Sequence, residues 1–242
     1  MTQHVDDPTL LLYWLPLGAG GRCVHVSGRL FEAFAARRQR RPRCDLYHSA
    51  LEVHSGRDRF VIEMTPAWTR EQPERGVVLE GPVGARWLGS SVLFRYEVRR
   101  WRDGVIPDLA EAVGLPRHVA TDRDRSELLL RLVPQVPALT WGRDETEVGD
   151  MWNSNSLTSW LLASSGHDPT SVVPPDGGRA PGWQAGLVLA DRLTTTSLTA
   201  RGAPMRGTEI RRDDLDPLES RRPAVRARPD PSARSREGPR RS

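Results

Sequence analysis

The sequence has no lysine, only two cysteines and no long apolar run. All 35 of its basic residues are arginine, which we attribute to genome composition. Cys23 and Cys44 are too few for a disulfide framework in a chain of 242 residues, so we expect a reducing, cytoplasmic compartment. No stretch approaches the roughly 18 apolar residues of a membrane span. The segment from Leu10 to Ala19 lacks the preceding positive charge of a signal peptide, and we expect no membrane span.

The net charge of +4 is unevenly distributed. From Arg201 onward there are 12 arginines against 7 acidic residues, whereas residues 1–200 hold 23 arginines against 24 acids. From about Ala203 the chain is mostly Arg, Pro, Asp and Ser, a composition that predicts disorder. We therefore expect one α+β domain over residues 1–200 and a disordered tail over residues 201–242. Because the basic excess lies in the tail, nucleic-acid binding is not expected for the folded domain.

Apolar periodicity predicts the elements of the domain. A capping box of Thr121 and Asp124 marks the start of one helix. The expected strands are Leu10–Leu17, Tyr47–Val53, Arg59–Met64, Val77–Leu79 and Val92–Val98. The expected helices are Gly28–Arg41, Pro107–Val113, Thr121–Val133 and Asn155–Ser165, followed by a packed element at Trp183–Leu193.

Two clusters of charge have a structural and a functional interpretation. Five arginines between Arg37 and Arg43 suit a helix C-terminus, and phosphate or nucleic-acid binding is the alternative. The loop Trp141–Asp150 holds four acids, but their spacing matches no calcium loop and no Cys or His ligands accompany them. We therefore expect neither a metal nor another cofactor.

The helix that begins near Asn153 carries a polar front and an apolar stripe. Leu157, Trp160 and Leu161 recur at helical spacing, and Gly166 suits the position just past the helix end. One interpretation is a well-capped core helix. The other is that Ser154 lies at the helix N-terminus and faces a functional partner from an earlier strand.

Two strands around His54–Arg57 form a predicted hairpin. Pairing Val53 with Asp58 places Leu51 and Phe60 together on a buried face and sets His48 opposite Glu63 on the other face. A histidine oriented by a carboxylate can act as a general base. The alternative is an ordinary cross-strand polar pair.

Together, the hairpin and the helix resemble the circularly permuted papain-like superfamily, which includes lecithin:retinol acyltransferase and relatives of NlpC-type peptidases. The resemblance rests on Tyr47–Val53, on Val61–Pro66 and on Asn153-Ser154-Asn155-Ser156-Leu157, about 40 residues in the same order as in the family. It implies an antiparallel sheet packed against a central helix. It also implies a catalytic histidine at His48, a polar partner at Glu63 and a nucleophile at position 154.

The chain departs from the family at the nucleophile, because Ser154 stands where the family has cysteine. One hypothesis is a hydrolase or acyltransferase that acts on an amide or ester through Ser154, His48 and Glu63. Backbone N–H groups at the helix front would then form the oxyanion site, supported by Asn153 and Asn155. A second hypothesis is a catalytically inactive domain that binds a small molecule, a lipid or a peptide. The third is recruitment to nucleic acid through the tail. The sequence predicts neither the substrate nor the oligomeric state.

Overall fold

Six strands form one antiparallel sheet in the order β4-β5-β3-β2-β1-β6. The computed structural model describes residues 8–17, 37, 40, 42–67, 75–120, 122–175 and 177–202, and for residues 197–202 only the backbone is described. The strands are β1 (Thr9–Pro16), β2 (Tyr47–Ser55), β3 (Asp58–Pro66), β4 (Val77–Pro82), β5 (Arg95–Arg102) and β6 (Arg117–Ala120). The predicted helix Gly28–Arg41, apart from residues 37 and 40, and the predicted tail beyond Gly202 lie outside the described residues.

Helices cover one face of the sheet. The helices in the described part of the chain are α1 (Arg123–Leu132), α2 (Ser154–Ser164) and α3 (Trp183–Gly202). The main core combines the strand residues Leu12, Leu51, Ile62, Tyr96 and Val98 with Leu157, Trp160 and Leu161 of α2. A smaller apolar cluster on the opposite face contains Leu15, Ala50, Val61 and Ile106. The α+β class and the antiparallel sheet expected from the sequence are confirmed.

The central helix α2 is buried along most of its length. Every residue from Ser154 to Leu162 is buried, which is more than the predicted stripe required. Asn153 is the N-cap, and Gly166 follows the helix with a φ of +80°, as the sequence predicted. The helix begins at Ser154, one residue before the predicted start, and Asn153 is its N-cap. The last predicted element is longer than expected, because α3 continues to Gly202 and crosses the expected domain boundary at residue 200.

Three local predictions need correction. Strand β5 begins at Arg95, because its pairing with β4 ends at Pro82 and the preceding Val92–Phe94 wind into a 3-10 turn. The predicted helix Pro107–Val113 is a single 3-10 turn at Leu109–Glu111, since so short a segment cannot nucleate an α-helix. The N-cap of α1 is Asp122, whose carboxylate accepts a hydrogen bond from the backbone of Arg125.

The predicted register of the hairpin is wrong by two residues. Val53 pairs with Phe60 and Ser55 with Asp58, so the turn is the two-residue loop at Gly56 and Arg57. Gly56 has a φ of +63°, which such a loop requires. The faces of the strands are as predicted, because a shift of two residues leaves every side chain on its original side.

Candidate functional site

Asn153 caps α2 with its side chain. Its Oδ1 accepts hydrogen bonds from the backbone N–H of Asn155 at 2.9 Å and of Ser156 at 3.3 Å. The Ser156 hydroxyl in turn accepts from the backbone N–H of Asn153 at 3.1 Å, which completes a capping box. The Asn153 amide also donates to the carbonyl of Pro181 at 2.8 Å. The first turn of the helix is therefore fixed both to itself and to the loop before α3.

Asn155 joins the same turn to strand β2. Its amide donates to the carbonyls of Tyr47 at 2.9 Å and Pro181 at 2.8 Å. Its Oδ1 accepts from the hydroxyl of Ser49 at 2.9 Å, and that hydroxyl also lies 2.9 Å from Thr158 Oγ1. Tyr47 and Ser49 flank His48 in the sequence, but successive side chains of a strand point to opposite faces. His48 therefore points to the other face of the sheet, with Leu15 and Ala50, and away from α2.

Ser154 is the exception among these polar residues. It is the first residue of α2, and its exposed fraction is only 5%. Unlike the side chains of Asn153, Asn155 and Ser156, its hydroxyl makes no hydrogen bond within the described part of the chain. The Ser154 oxygen is also not among the completely buried polar atoms without a partner, so it retains some contact with solvent. The hydroxyl of Ser154 is therefore slightly exposed and unpaired within the described part of the chain.

His48 lies near the start of β2 and pairs with Leu15 of β1. It is partly buried, and burial lowers the pKa of its imidazole from 6.5 to about 4. Within the described residues its side chain has no hydrogen-bond partner. The imidazole is consequently neutral at physiological pH, the state in which it can accept a proton.

Glu63 is not positioned as the partner of His48. It pairs with Arg99 of β5, and its carboxylate accepts a hydrogen bond from Arg99 Nη1 at 2.8 Å. Burial raises the pKa of the Glu63 carboxyl, and the charge and hydrogen bond of Arg99 offset part of that rise. Arg99 also binds Glu97, and both of these side chains are almost completely buried. The His48–Glu63 pair expected from the sequence is replaced by a Glu63–Arg99–Glu97 ion cluster.

The predicted oxyanion site is largely used by the helix cap. The backbone N–H groups of Asn155 and Ser156 bond to Asn153, and the side-chain donors of Asn153 and Asn155 bond to backbone carbonyls. The N–H of Ser154 itself has no partner among the described residues. Asn153 and Asn155 therefore hold the site in place, and a single N–H donor remains next to the Ser154 hydroxyl.

The segment from Arg179 to Trp183 is a part of the site that the sequence analysis missed. The backbone of Arg179 donates to the carbonyl of Asp45 and accepts from the N–H of Tyr47, both at 2.8 Å. The hydroxyls of Ser156 and Ser159 donate to the carbonyls of Gly182 at 2.8 Å and Trp183 at 2.7 Å. Its proline and glycine content predicts a loop, but no spacing rule predicts that its carbonyls bind the serines of α2.

Neither metal-ligating side chains nor comparisons with known proteins assign a chemistry to this site. Within the described ranges no three His, Cys, Asp or Glu side chains are grouped as ligands for a metal ion. Over the same residues, no helix has the length and apolar character needed to cross a membrane. Nothing matches the chain among protein-family models, curated proteins or solved structures.

Proposed function

We propose that this chain is a papain-like domain whose Ser154 site binds a ligand without turning it over. The observation that carries the proposal is the ion pair between Glu63 and Arg99, which takes the carboxylate away from His48. In a serine site the acid fixes the tautomer of the histidine and stabilises the imidazolium, and disabling the acid costs about four orders of magnitude in rate.

The state of His48 also favours binding over catalysis. A general base works best when its pKa is close to the working pH. An imidazole whose pKa is lowered to about 4 holds a proton weakly, so it is a poor base for an alcohol. A thiol has an ordinary pKa of about 8.5 and loses its proton far more readily than the hydroxyl of Ser154, so it needs a weaker base.

The ligand group that suits this site is an oxygen acceptor, such as a carbonyl or a carboxylate. The Ser154 hydroxyl can donate one hydrogen bond and its backbone N–H another, and both lie at the positive end of the dipole of α2. A small molecule, a lipid or a peptide could supply such a group. The hydrogen bonds of Asn155 to Tyr47 and Ser49 of β2 keep these donors fixed relative to the strand, which lowers the entropic cost of binding.

A hydrolase or acyltransferase that acts through Ser154 and His48 is the second candidate. The unpartnered hydroxyl of Ser154 favours it, whereas the position of His48 on the other face of the sheet does not. In that reaction the Ser154 oxygen attacks an ester or amide carbonyl while its proton passes to a base, a role that His48 does not fill from the other face of the sheet. The proton then leaves with the departing alcohol or amine, and water or another acceptor takes the acyl group.

A fluorophosphonate probe separates the two candidates. For a binding domain we expect no more labelling of the wild-type protein than of Ser154→Ala. Ser164→Ala, at the other end of α2, is the matched control for serine removal. Labelling that Ser154→Ala abolishes and Ser164→Ala leaves unchanged would overturn the binding proposal in favour of the serine enzyme.

A further inference from the structure

Three large apolar side chains are exposed in the connection between β4 and β5. Trp87, Leu93 and Phe94 are 77%, 61% and 42% exposed. They belong to Trp87–Phe94, eight consecutive residues without a charged side chain. A single exposed leucine is ordinary, but an exposed tryptophan with two further large apolar residues marks an interaction surface. We call these three residues the β4–β5 patch.

The backbone under the β4–β5 patch is held in place. Arg86–Ser90 and Val92–Phe94 form two 3-10 turns that contact each other. The guanidinium of Arg95 donates to the carbonyl of Gly89 at 2.5 Å. A Cβ at Gly89 would lie 3.0 Å from Pro82, so the first turn packs closely against the end of β4. The apolar side chains are therefore presented to the outside by a defined backbone.

The size of the β4–β5 patch limits what can cover it. At the exposures given above, its three side chains offer on the order of 400 Å² of surface, since a whole aromatic side chain has about 150–250 Å². A stable interface between two proteins covers about 800 Å² on each partner, so two copies that paired patch to patch would reach only about half of this. A lipid bilayer needs no second patch of matching shape, because apolar side chains insert at its surface and tryptophan is favoured there.

Arginines border the β4–β5 patch on both sides. Arg86 precedes it, Arg95 follows it, and the Arg86 side chain is 80% exposed. Arg86 pairs with Glu145 at 2.8 Å, but that carboxylate also accepts a hydrogen bond from the backbone N–H of Thr140 at 3.1 Å. Arg86 can therefore turn to a lipid phosphate without leaving Glu145 unpaired. Arg95 remains with Glu80, to which it is bound at 3.1 Å.

Charge distinguishes this patch from another exposed apolar segment, residues 103–115. Leu115 in that segment is 92% exposed, but Asp103, Asp108 and Glu111 lie among its apolar residues and no arginine does. Carboxylates are repelled by the negative surface of a membrane. Leu115 is also close in sequence to β6, whereas the β4–β5 patch adjoins β4 at the opposite edge of the sheet, five strand spacings or roughly 24 Å away.

We propose that the β4–β5 patch docks the protein onto the surface of a phospholipid membrane. Trp87, Leu93 and Phe94 insert at the boundary between headgroups and lipid chains, and Arg86 binds a headgroup phosphate. The contact is peripheral and is made by two short turns. This inference goes beyond the proposed function and does not depend on a ligand at Ser154.

Co-sedimentation of the full chain with phosphatidylcholine vesicles tests the insertion of the apolar side chains. The arginine-rich tail could bind lipid headgroups electrostatically, so the measurement is made at about 0.5 M salt, where such attraction is largely screened. We expect the wild-type protein to bind these vesicles. Leu93→Ser should lower its partition coefficient roughly tenfold, and Trp87→Ala by at least as much, because each variant removes a large apolar side chain from the lipid. Leu115→Ser is the matched control and should leave the partition coefficient unchanged.

Vesicles that also contain phosphatidylglycerol test the role of Arg86. At about 0.1 M salt, Arg86→Gln should lower the partition coefficient about fivefold, as expected for one arginine at an anionic surface. Arg57→Gln, in the exposed turn of the hairpin at the far end of β3, should have no such effect. Equal effects of the two variants would show that Arg86 binds no headgroup and would overturn this part of the proposal.

Two results would overturn the membrane proposal as a whole. One is a wild-type protein that does not bind phosphatidylcholine vesicles, or one whose binding Leu93→Ser and Leu115→Ser leave equally unchanged. The other is concentration-dependent self-association without vesicle binding, which Trp87→Ala abolishes in sedimentation velocity, because a second copy would then cover the patch. The replaced side chains are exposed, so each variant should keep the wild-type melting temperature, and thermal denaturation checks this.

Discussion

At the residue scale, Asn155 shows how a predicted catalytic helper can have a structural role instead. The sequence placed it at an oxyanion site because it follows the nucleophile position. In the structure its amide and its oxygen are used in bonds to Tyr47, Pro181 and Ser49. A side chain whose donors and acceptor are already satisfied inside the protein is not free to stabilise charge on a substrate. Its contribution is to fix α2 on β2.

Replacing Asn155 with alanine should therefore destabilise the fold. Asn155 is 2% exposed, and the variant would leave the carbonyl of Tyr47 and the hydroxyl of Ser49 without this partner. We expect a loss of about 2–4 kcal/mol in the free energy of unfolding, measured by urea titration. Ser164→Ala on the same helix should change it by less than about 0.5 kcal/mol. A similarly small effect of Asn155→Ala would contradict the conclusion that Asn155 fixes α2 on β2.

His48 should make the protein sensitive to acid. Its folded-state pKa of about 4 lies below the ordinary value of 6.5, so it contributes stability above pH 6.5 that is lost as the pH falls towards 4. Between pH 7 and pH 4.5 the wild-type protein should lose up to about 2.5 kcal/mol more than His48→Gln. Chemical denaturation at both pH values measures this difference, and His118→Gln, at an exposed site on β6, should behave like the wild type. Equal losses in the wild type and His48→Gln would show that His48 is not held neutral by burial.

The sequence predicted the positions of single residues better than their partners. Ser154 lies in the first turn of α2 and Gly166 just past its end, as predicted, because helix ends depend on local spacing. The partner of Glu63 was not predictable from the sequence. It is Arg99 of β5, which lies 36 residues further along the chain. Nothing in the local pattern distinguishes a carboxylate that faces His48 from one that faces Arg99.

At the element scale, the hairpin explains the error in register. Alternation of apolar and polar residues specifies which face each residue occupies, but a shift of two residues satisfies it equally well. The turn decides between them, and here Gly56 selects a two-residue loop. That choice moves Glu63 along the strand relative to His48, which removes the direct opposition on which the predicted pair depended.

The packing of α2 against α3 depends on a glycine. A Cβ at Gly186 would overlap the carbonyl of Ser156 and the hydroxyl of Ser159 on α2. These are the same two serines whose hydroxyls bond to Gly182 and Trp183. The close approach of the helices therefore supports the bonds that hold the segment 179–183 at the candidate site.

Gly186→Ala should destabilise the protein although alanine is the better helix former. Helix propensity alone would favour the variant by about 1 kcal/mol. Overpacking against α2 opposes this by about 1–3 kcal/mol or more, and we expect the steric effect to dominate because it involves a backbone carbonyl. Thermal denaturation should show a lower melting temperature. Gln184→Ala, at an exposed position of α3, should change it little, and a stabilised Gly186→Ala would contradict the close packing.

At the scale of the whole molecule, composition and periodicity were sufficient for the fold class and insufficient for the topology. The α+β class and the antiparallel sheet follow from the alternating strands and the central helix. The edge strand β6 was not predicted, because Arg117–Ala120 has only four residues and pairs with the distant β1. The order of the strands likewise depends on long-range pairing, which no local pattern encodes.

The central claim is that position 154 is a nucleophile-type position, at the front of α2 and beside the strand that carries His48. The most direct measurement is the pKa of the thiol in Ser154→Cys, obtained from the pH dependence of its reaction with iodoacetamide. The helix N-terminus should lower this pKa below the ordinary value of about 8.5. Because His48 is neutral and points to the other face of the sheet, His48→Ala should leave this pKa unchanged. Cys44 in the same molecule serves as the reference thiol. A thiol pKa at or above about 8.5 would contradict the account and leave α2 as a capped core helix.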